Sequence, residues 1–322
     1  MQEAQVQFPQ LIRVGCGIDV HQNLIVATIR RSDTDYETRS YDGYTSSLTE
    51  LRDWCKDAGV THIAMESTGV YWKPVFNILE EGFEIILVNA RHVKNIPGHK
   101  TDKKDSAWLS KLLLSGLLKA SFIPPQDIRE LRELVRYKKK VTGQAASEKN
   151  RIIKILEDAN IKLSSVLSNV DGAVGRRIIN DIISANTRPD DLLRHYHGKM
   201  KAGKAELKKA LEGRITAHHR FMLQLLKESI ADKEKLLAKL ELQIDEAAKA
   251  YSVDIENLQT IPGVGKDSAV SILSEIGADM DVFASEQHLS SWAGMSPGNN
   301  ESGGKKKVQK PSTVTSTSKA PL

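Results

Sequence analysis

Short β-branched apolar runs open the chain and give way to longer segments with helical spacing. Arg13–Ile18 reads as a strand, Asn23–Arg30 as a second and Tyr36–Tyr41 as a weaker third, with turn-forming Ser32 and Asp33 between the last two. A helix follows from about Ser47, where Ser47 and Glu50 have capping-box spacing and Leu48, Leu51, Trp54 and Cys55 share a face. The pattern then predicts a buried-type strand over His62–Met65, a helix over Trp72–Glu81, a strand over Glu84–Val88 and a helix over Lys104–Leu118.

Three strands followed by alternating helices and strands is the order of a ribonuclease H-like α/β domain, here expected over residues 1–125; other mixed sheets share parts of that order. Pro124-Pro125 ends the region. Gln126 to about Asn160 and Lys204 to about Tyr251 then read as long charged helices, with Leu226, Ile230, Leu237, Leu240 and Ile244 at three- and four-residue spacing. They predict an antiparallel helical coiled-coil arm over 126–251, either within one protomer or between two, with a less regular stretch from Ser164 to Gly198. A small helical C-terminal domain is expected over 252–307. The Ser/Thr/Pro-rich stretch 308–322 is expected to be a disordered tail.

Composition narrows the class. Lys and Arg exceed Asp and Glu by 46 to 41 in 322 residues, a net charge of +5 that is compatible with a polyanionic partner but too small to demonstrate one. Two cysteines without Cys/His clustering indicate neither a disulfide framework nor a structural zinc site, and point to a reducing, cytoplasmic setting. No apolar run is long enough to cross a membrane and no secretory pattern opens the chain, so neither secretion nor a membrane partner is expected.

Carboxylates carry the first candidate chemistry. Asp19 ends the apolar strand of G-C-G-I-D-V and Glu66 ends that of H-I-A-M-E-S; Asp102 and Asp105, three apart at a helix start, project from one face. Brought together, four such groups repel unless a hard cation such as Mg²⁺ sits among them, the arrangement used in metal-assisted phosphoryl transfer. Singly, each has an ordinary reading as a turn, cap or helix-dipole residue.

Cations surround this cluster in sequence: Arg91, His92, Lys94, His99, Lys100, Lys103 and Lys104, with Arg136, Lys138, Lys139 and Lys140 as a second run on a helix. Both suit a phosphate backbone, and both read equally as solvated surface. L-Q-T-I-P-G-V-G-K-D-S-A (Leu258 to Ala269) resembles the hairpin of a helix-hairpin-helix element, in which Gly263 and Gly265 expose N–H groups to phosphate. Ser302, beside Gly303 and Gly304 and ahead of Lys305, is the strongest nucleophile candidate, with Ser290, Ser291 and Ser296 weaker; the ordinary reading of such a serine is a turn.

Taken together, G-I-D-V-H-Q (Gly17 to Gln22), E-S-T-G-V-Y-W-K-P (Glu66 to Pro74), K-T-D-K-K-D-S (Lys100 to Ser106), I-P-G-V-G and A-G-M-S-P-G-N-N-E-S-G-G-K resemble the DEDD-type insertion-sequence transposases, the family founded on insertion sequence one hundred and ten. The resemblance implies a RuvC-like nuclease domain, a coiled-coil insertion and a C-terminal transposase domain. It implies Asp19, Glu66, Asp102 and Asp105 as ligands of Mg²⁺ or Mn²⁺, and Ser302 as the nucleophile that becomes linked to a DNA phosphate. Donor and target DNA, a structured guide RNA and a homo-oligomer, dimer or tetramer, with a composite site are the implied partners, in the cytoplasm of a bacterium or archaeon. After Lys307 the sequence departs from the family's basic helical continuation. That departure keeps two other readings open: a RuvC-like structure-specific nuclease, and a truncated nucleic-acid-binding form without strand transfer.

Overall fold

The computed structural model describes residues 10–67, 69–89 and 105–295, with the backbone of 301–302 and 305–306. The described residues form two compact units, one from residues 1–123 and 281–322, the other from 124–280. The segment 252–307 is thus divided between them at 280/281. Asp102, the cations from Arg91 to Lys104, Ser296 and the stretch 308–322 lie outside the described residues.

The first unit is built on strands β1 (Gly15–Val20), β2 (Ile25–Arg30), β3 (Tyr36–Tyr41), β4 (His62–Glu66) and β5 (Glu84–Val88), in the order β3-β2-β1-β4-β5. The first three are antiparallel; β1, β4 and β5 run parallel. Alternation within each strand explains the layers. Cys16, Ile18, Val20, Ile25, Ala27, Ile29, Ile63, Met65 and Leu87 face helices α1 (Thr45–Asp57) and α2 (Trp72–Leu79), while Ala64, Ile86 and Val88 meet α3 (Asp105–Leu114) on the opposite face. A sheet covered on both faces and this strand order fit the RuvC-like α/β domain. Both cysteines are free and buried.

Helix α1 starts earlier than the capping-box spacing suggests: Tyr44 is its N-cap and makes no side-chain cap bond, so Ser47 lies in the first turn. The driving force is instead the face Leu48, Leu51 and Cys55, buried against the sheet. Further along in the same unit, Phe122, Phe283 and Trp292 form an aromatic trio with centroids 5.4 to 6.0 Å apart, which ties α12 (Glu286–Trp292) to the chain leaving the sheet. That exit segment is itself held where the Ser121 N–H donates to the Leu87 carbonyl at 2.7 Å.

The second unit is an arm. Helices α4 (Gln126–Asp158) and α9 (Ala217–Ala248) pair antiparallel, with Ile128 and Leu131 clustered with Ile244 and Ala248 at the base, and Ile152 and Leu156 with Leu223, Leu226 and Ile230 at the tip. At 1.5 Å per residue each helix runs roughly 50 Å. Between them, α5 (Leu163–Val166), α6 (Ala173–Ile183), α7 (Pro189–Leu192) and α8 (Lys204–Ala210) close the tip around their own core.

The expected continuous helix from Lys204 to Tyr251 is broken over 211–216, a correction with a visible cause. The Arg214 N–H donates to the Ala159 carbonyl at 2.9 Å, and a Cβ on Gly213 would stand 2.3 Å from that same oxygen. Thr216 then restarts the helix: its Oγ accepts from the His219 N–H, and His219 Nδ1 accepts from the Thr216 N–H. At the base, α10 (Ser252–Gln259) and α11 (Lys266–Ile276) flank the expected hairpin, with Gly263 at φ +88°, a conformation glycine adopts without strain.

Candidate active site

Strand β1 reads G-C-G-I-D, and its alternation assigns Gly15, Gly17 and Asp19 to the face covered by α3. The glycines let that helix descend onto the sheet. A Cβ on Gly17 would lie 2.2 Å from the Ser106 carbonyl oxygen and 2.4 Å from the Ser110 nitrogen, so any side chain there collides with backbone. On the neighbouring parallel strand Ile18 pairs with Met65, so Asp19 and Glu66 follow in step at two adjacent strand ends. Glu66 shares the parity of Ala64, which packs under α3. Asp105 is the first residue of α3. Three of the four sequence-derived carboxylates are therefore carried by elements that converge at one end of the sheet; Asp102 lies outside the described residues.

A buried polar seam fixes how α3 lies. Thr28 Oγ1 and Ser106 Oγ share a hydrogen bond of 2.8 Å, and Arg30 Nε donates to Ser110 Oγ at 3.0 Å. All four side chains are buried. Serines four apart on a helix are separated by about 6 Å and residues two apart on a strand by about 6.6 Å, so the two bonds match rung for rung and oppose sliding of α3 along its groove. The Arg30 guanidinium also donates to the Ser32 and Asp33 carbonyls and lies 4.3 Å over the Tyr36 ring. Burial pulls its pKa down, with Asp33 opposing that shift.

Electrostatics single out Asp19. Burial pushes its carboxyl above the usual carboxylate range; His21, whose Nε2 is 3.1 Å from Asp19 Oδ2, pulls it back, and the charge of Asp105 pushes it up again. A half-buried carboxylate raised by a second carboxylate is a donor set that a hard divalent cation would relieve. Among the described residues no three His, Cys, Asp or Glu side chains are gathered closely enough to hold a metal ion. Asp19, Glu66 and Asp105 fit such an ion by donor type, and the charge of Asp105 on Asp19 is one that it would relieve.

Sequence reasoning did not single out His21 or the seam. The signals were present: polar Thr28 and Arg30 at alternate positions of an apolar strand, and Ser106 and Ser110 one turn apart in an otherwise leucine-rich helix.

The remaining candidates divide. Arg136 makes a bidentate pair with Glu275 at 2.9 Å for each bond, and Lys138 lies 3.2 Å from Glu241 and 3.4 Å from Asp267, so both serve the arm's base. Lys139 and Lys140 are exposed. Among the described residues nothing within 4 Å would meet a Cβ on Gly263 or Gly265, which leaves that hairpin open to an approaching group. Ser290 and Ser291 lie in α12. Ser302 and Lys305 pair across a two-residue connection of Gly303 and Gly304, a hairpin sequence suited to the tightest turns.

Comparison with known families gives two matches. Residues 16–161 match a DEDD transposase family model of IS110 type, described as a transposase, and residues 255–316 match the Transposase IS116/IS110/IS902 family. A search of curated proteins found no match.

Proposed function

This chain belongs to the DEDD transposases of the IS110 type, and from that premise we propose that its α/β unit cuts and rejoins DNA at the site formed by Asp19, Glu66, Asp102 and Asp105, with Ser302 as nucleophile. Membership makes it an insertion-sequence transposase that acts on DNA. The observation that carries the site assignment is the convergence of Asp19, Glu66 and Asp105 under the N-terminal end of α3, with Asp19 raised by burial and by Asp105.

A divalent cation such as Mg²⁺ or Mn²⁺, when bound, would supply charge neutralisation at the scissile phosphate. The four carboxylates would hold it, with His21 orienting Asp19 and the α3 seam keeping Asp105 in place. The Ser302 hydroxyl forms a bond to phosphorus while the bridging P–O bond of the strand breaks, and the departing oxygen takes up a proton as a free DNA hydroxyl. A hydroxyl from the partner strand then attacks the same phosphorus, which restores Ser302 and joins the new strand. Lys100, Lys103, Lys104 and Lys305 would grip phosphates around the cut, and the open glycine hairpin at Gly263 and Gly265, with Lys139 and Lys140, would take phosphate on the arm's own unit. Choice of donor and target by a structured RNA, and assembly of a composite site in a homo-oligomer, are further parts of the proposal and rest on family resemblance alone.

The test uses the full chain, its element's nucleic acids and Mg²⁺. Asp19→Asn, Glu66→Gln or Asp105→Asn should abolish cleavage while leaving DNA binding within about threefold, since each change removes a ligand and no phosphate contact. Wild-type protein should form a covalent DNA adduct and Ser302→Ala should not. Cleavage by Ser302→Ala at the wild-type rate would replace the serine route with hydrolysis by the carboxylate site.

A further inference from the structure

Charge is unevenly distributed along this chain. Residues 162–220, the tip of the arm and the start of α9, contain twelve Lys and Arg against six Asp and Glu, a net of +6. The other residues contain 34 basic and 35 acidic side chains, so the entire positive excess resides in the tip.

Most of the tip's acids are already engaged. Asp171 binds Arg176 and Lys149, Asp181 binds Arg194 and His195, Asp190 binds Lys208, and Asp191 lies 3.9 Å from Arg188. Arg177, Lys199, Lys201, Lys204, Lys209 and Arg214 remain exposed, and among the described residues none has a carboxylate within ion-pair distance. Five of these six fall between residues 199 and 214. They sit on a folded support: Leu207, Ala210 and Leu211 are buried in the tip core, and the Lys162 N–H donates to the Ala210 carbonyl at 2.8 Å.

A helical hairpin needs only about two to eight residues to connect its helices. Here the stretch from Ala159 to Thr216 supplies thirteen of the eighteen buried members of the tip core and presents cations on it. A solvated surface would be satisfied by mixed charges, as on the rest of the chain.

We propose that the arm tip, through Lys199, Lys201, Lys204, Lys209 and Arg214, is a nucleic-acid-binding surface that takes the phosphodiester backbone of DNA or RNA, about one arm length from the arm's base. Preorganised cations on a packed support bind phosphate by counterion release without reading sequence. The carboxylate site plays no part in this surface, so binding by the tip and cleavage at the site stand or fall separately.

The experiment compares wild-type protein with a variant carrying Lys199→Gln, Lys201→Gln, Lys204→Gln, Lys209→Gln and Arg214→Gln. Binding to a labelled DNA duplex and to a labelled structured RNA is followed by anisotropy between 50 and 200 mM KCl. A charge-matched control carries Lys→Gln at Lys56, Lys73, Lys227, Lys239 and Lys249, all exposed and outside the proposed surface. The tip variant should bind at least about tenfold more weakly at 0.1 M salt, with the salt slope reduced by about one unit per lost contact. Loss for duplex alone assigns the tip to DNA, loss for RNA alone to RNA, and loss for both to any phosphate backbone. Unchanged binding of both probes, or an equal loss in the control, overturns the proposal, as does a change of oligomeric state in sedimentation with binding intact. Wild-type helicity by circular dichroism and normal cleavage of a saturating substrate keep misfolding apart from loss of the surface.

Discussion

Replacing Gly17 by alanine tests whether the descent of α3 onto β1 is what sets the site. The new Cβ would stand 2.2 Å from the Ser106 carbonyl oxygen and 2.4 Å from the Ser110 nitrogen, where ordinary contacts begin at 3.4 Å. Both neighbours are backbone, so no rotamer change relieves the clash and α3 must rise by about 1 Å. Overpacking of this kind costs about 1–3 kcal/mol, partly offset by the roughly 0.4–1 kcal/mol that a Gly→Ala change takes from the unfolded chain's entropy. Two clashes with backbone place the cost in the upper half of that range, about 2–3 kcal/mol, so a net loss of about 1–2.6 kcal/mol is expected, together with lengthening of the Thr28–Ser106 and Arg30–Ser110 bonds.

All four tryptophans, Trp54, Trp72, Trp108 and Trp292, belong to the α/β unit, so tryptophan fluorescence in urea reports that unit's transition. A displacement of Asp105 near 1 Å should also slow cleavage by about a hundredfold. Gly143→Ala supplies the contrast: it makes the same chemical change in mid-helix, where nothing lies within 4 Å of the added Cβ, and should stabilise the arm by about 0.5–1 kcal/mol. If Gly17→Ala unfolds within about 0.5 kcal/mol of wild type and cleaves at the wild-type rate, the close helix approach is not what positions the carboxylates.

Ser110→Ala should cost more than Ser106→Ala, about 1.5–3 against about 1 kcal/mol by urea titration, because it deprives a buried guanidinium of an acceptor whereas Thr28 keeps its 2.8 Å bond to Thr38. Asp19→Asn should raise the melting midpoint of metal-free protein at pH 7 while eliminating cleavage. A carboxyl raised in the folded state favours folding below its unfolded pKa, and that contribution is gone once pH exceeds the folded value. The arm should behave oppositely. Against the cost of burial, Arg176 and Lys149 hold the Asp171 carboxyl below its usual range, and His195 and Arg194 do the same for Asp181. Their contribution is complete above the unfolded value near 4 and is lost as pH falls through the lowered folded values, so helicity at 222 nm should fall below about pH 4. Asp181→Asn should flatten that acid limb; an unchanged limb would remove Asp181 from the account.

The sheet was legible because short runs of β-branched and apolar residues are set off by turn residues: β3 and β5 lie where the pattern places them, and β1 is shifted by two residues at each end. The carboxylate positions at strand ends were legible for the same reason. What the pattern could not carry was tertiary. Residues 204–210 and 217–248 have continuous helical spacing, yet docking of Gly213 against the Ala159 carbonyl interrupts them, a contact with no local signature. The Thr28–Ser106 and Arg30–Ser110 bonds join residues 78 and 80 apart, so each partner looks like a mild flaw in an apolar element until the two are seen together. Arg136 and Lys138 illustrate the converse: within one basic run in sequence, two residues are held in ion pairs at the arm's base and two are exposed lysines.

The aromatic trio of Phe122, Phe283 and Trp292 has a consequence for the order of assembly. Its members join chain segments about 160 residues apart, so in an unfolded chain the contact would demand a very large loop closure. The arm shortens that loop. Once Ile128 and Leu131 have packed with Ile244, Ala248, Ile255 and Val270, the beginning and end of the inserted stretch are neighbours, and only short connectors separate Phe122 from Phe283. During synthesis the sheet would therefore emerge first, wait while the helical insertion folds on its own contacts, and receive its last segment only after ribosomal exit of residue 292. The stretch that bears Ser302, the proposed nucleophile, follows immediately, so it is delivered to a unit whose sheet has already been built.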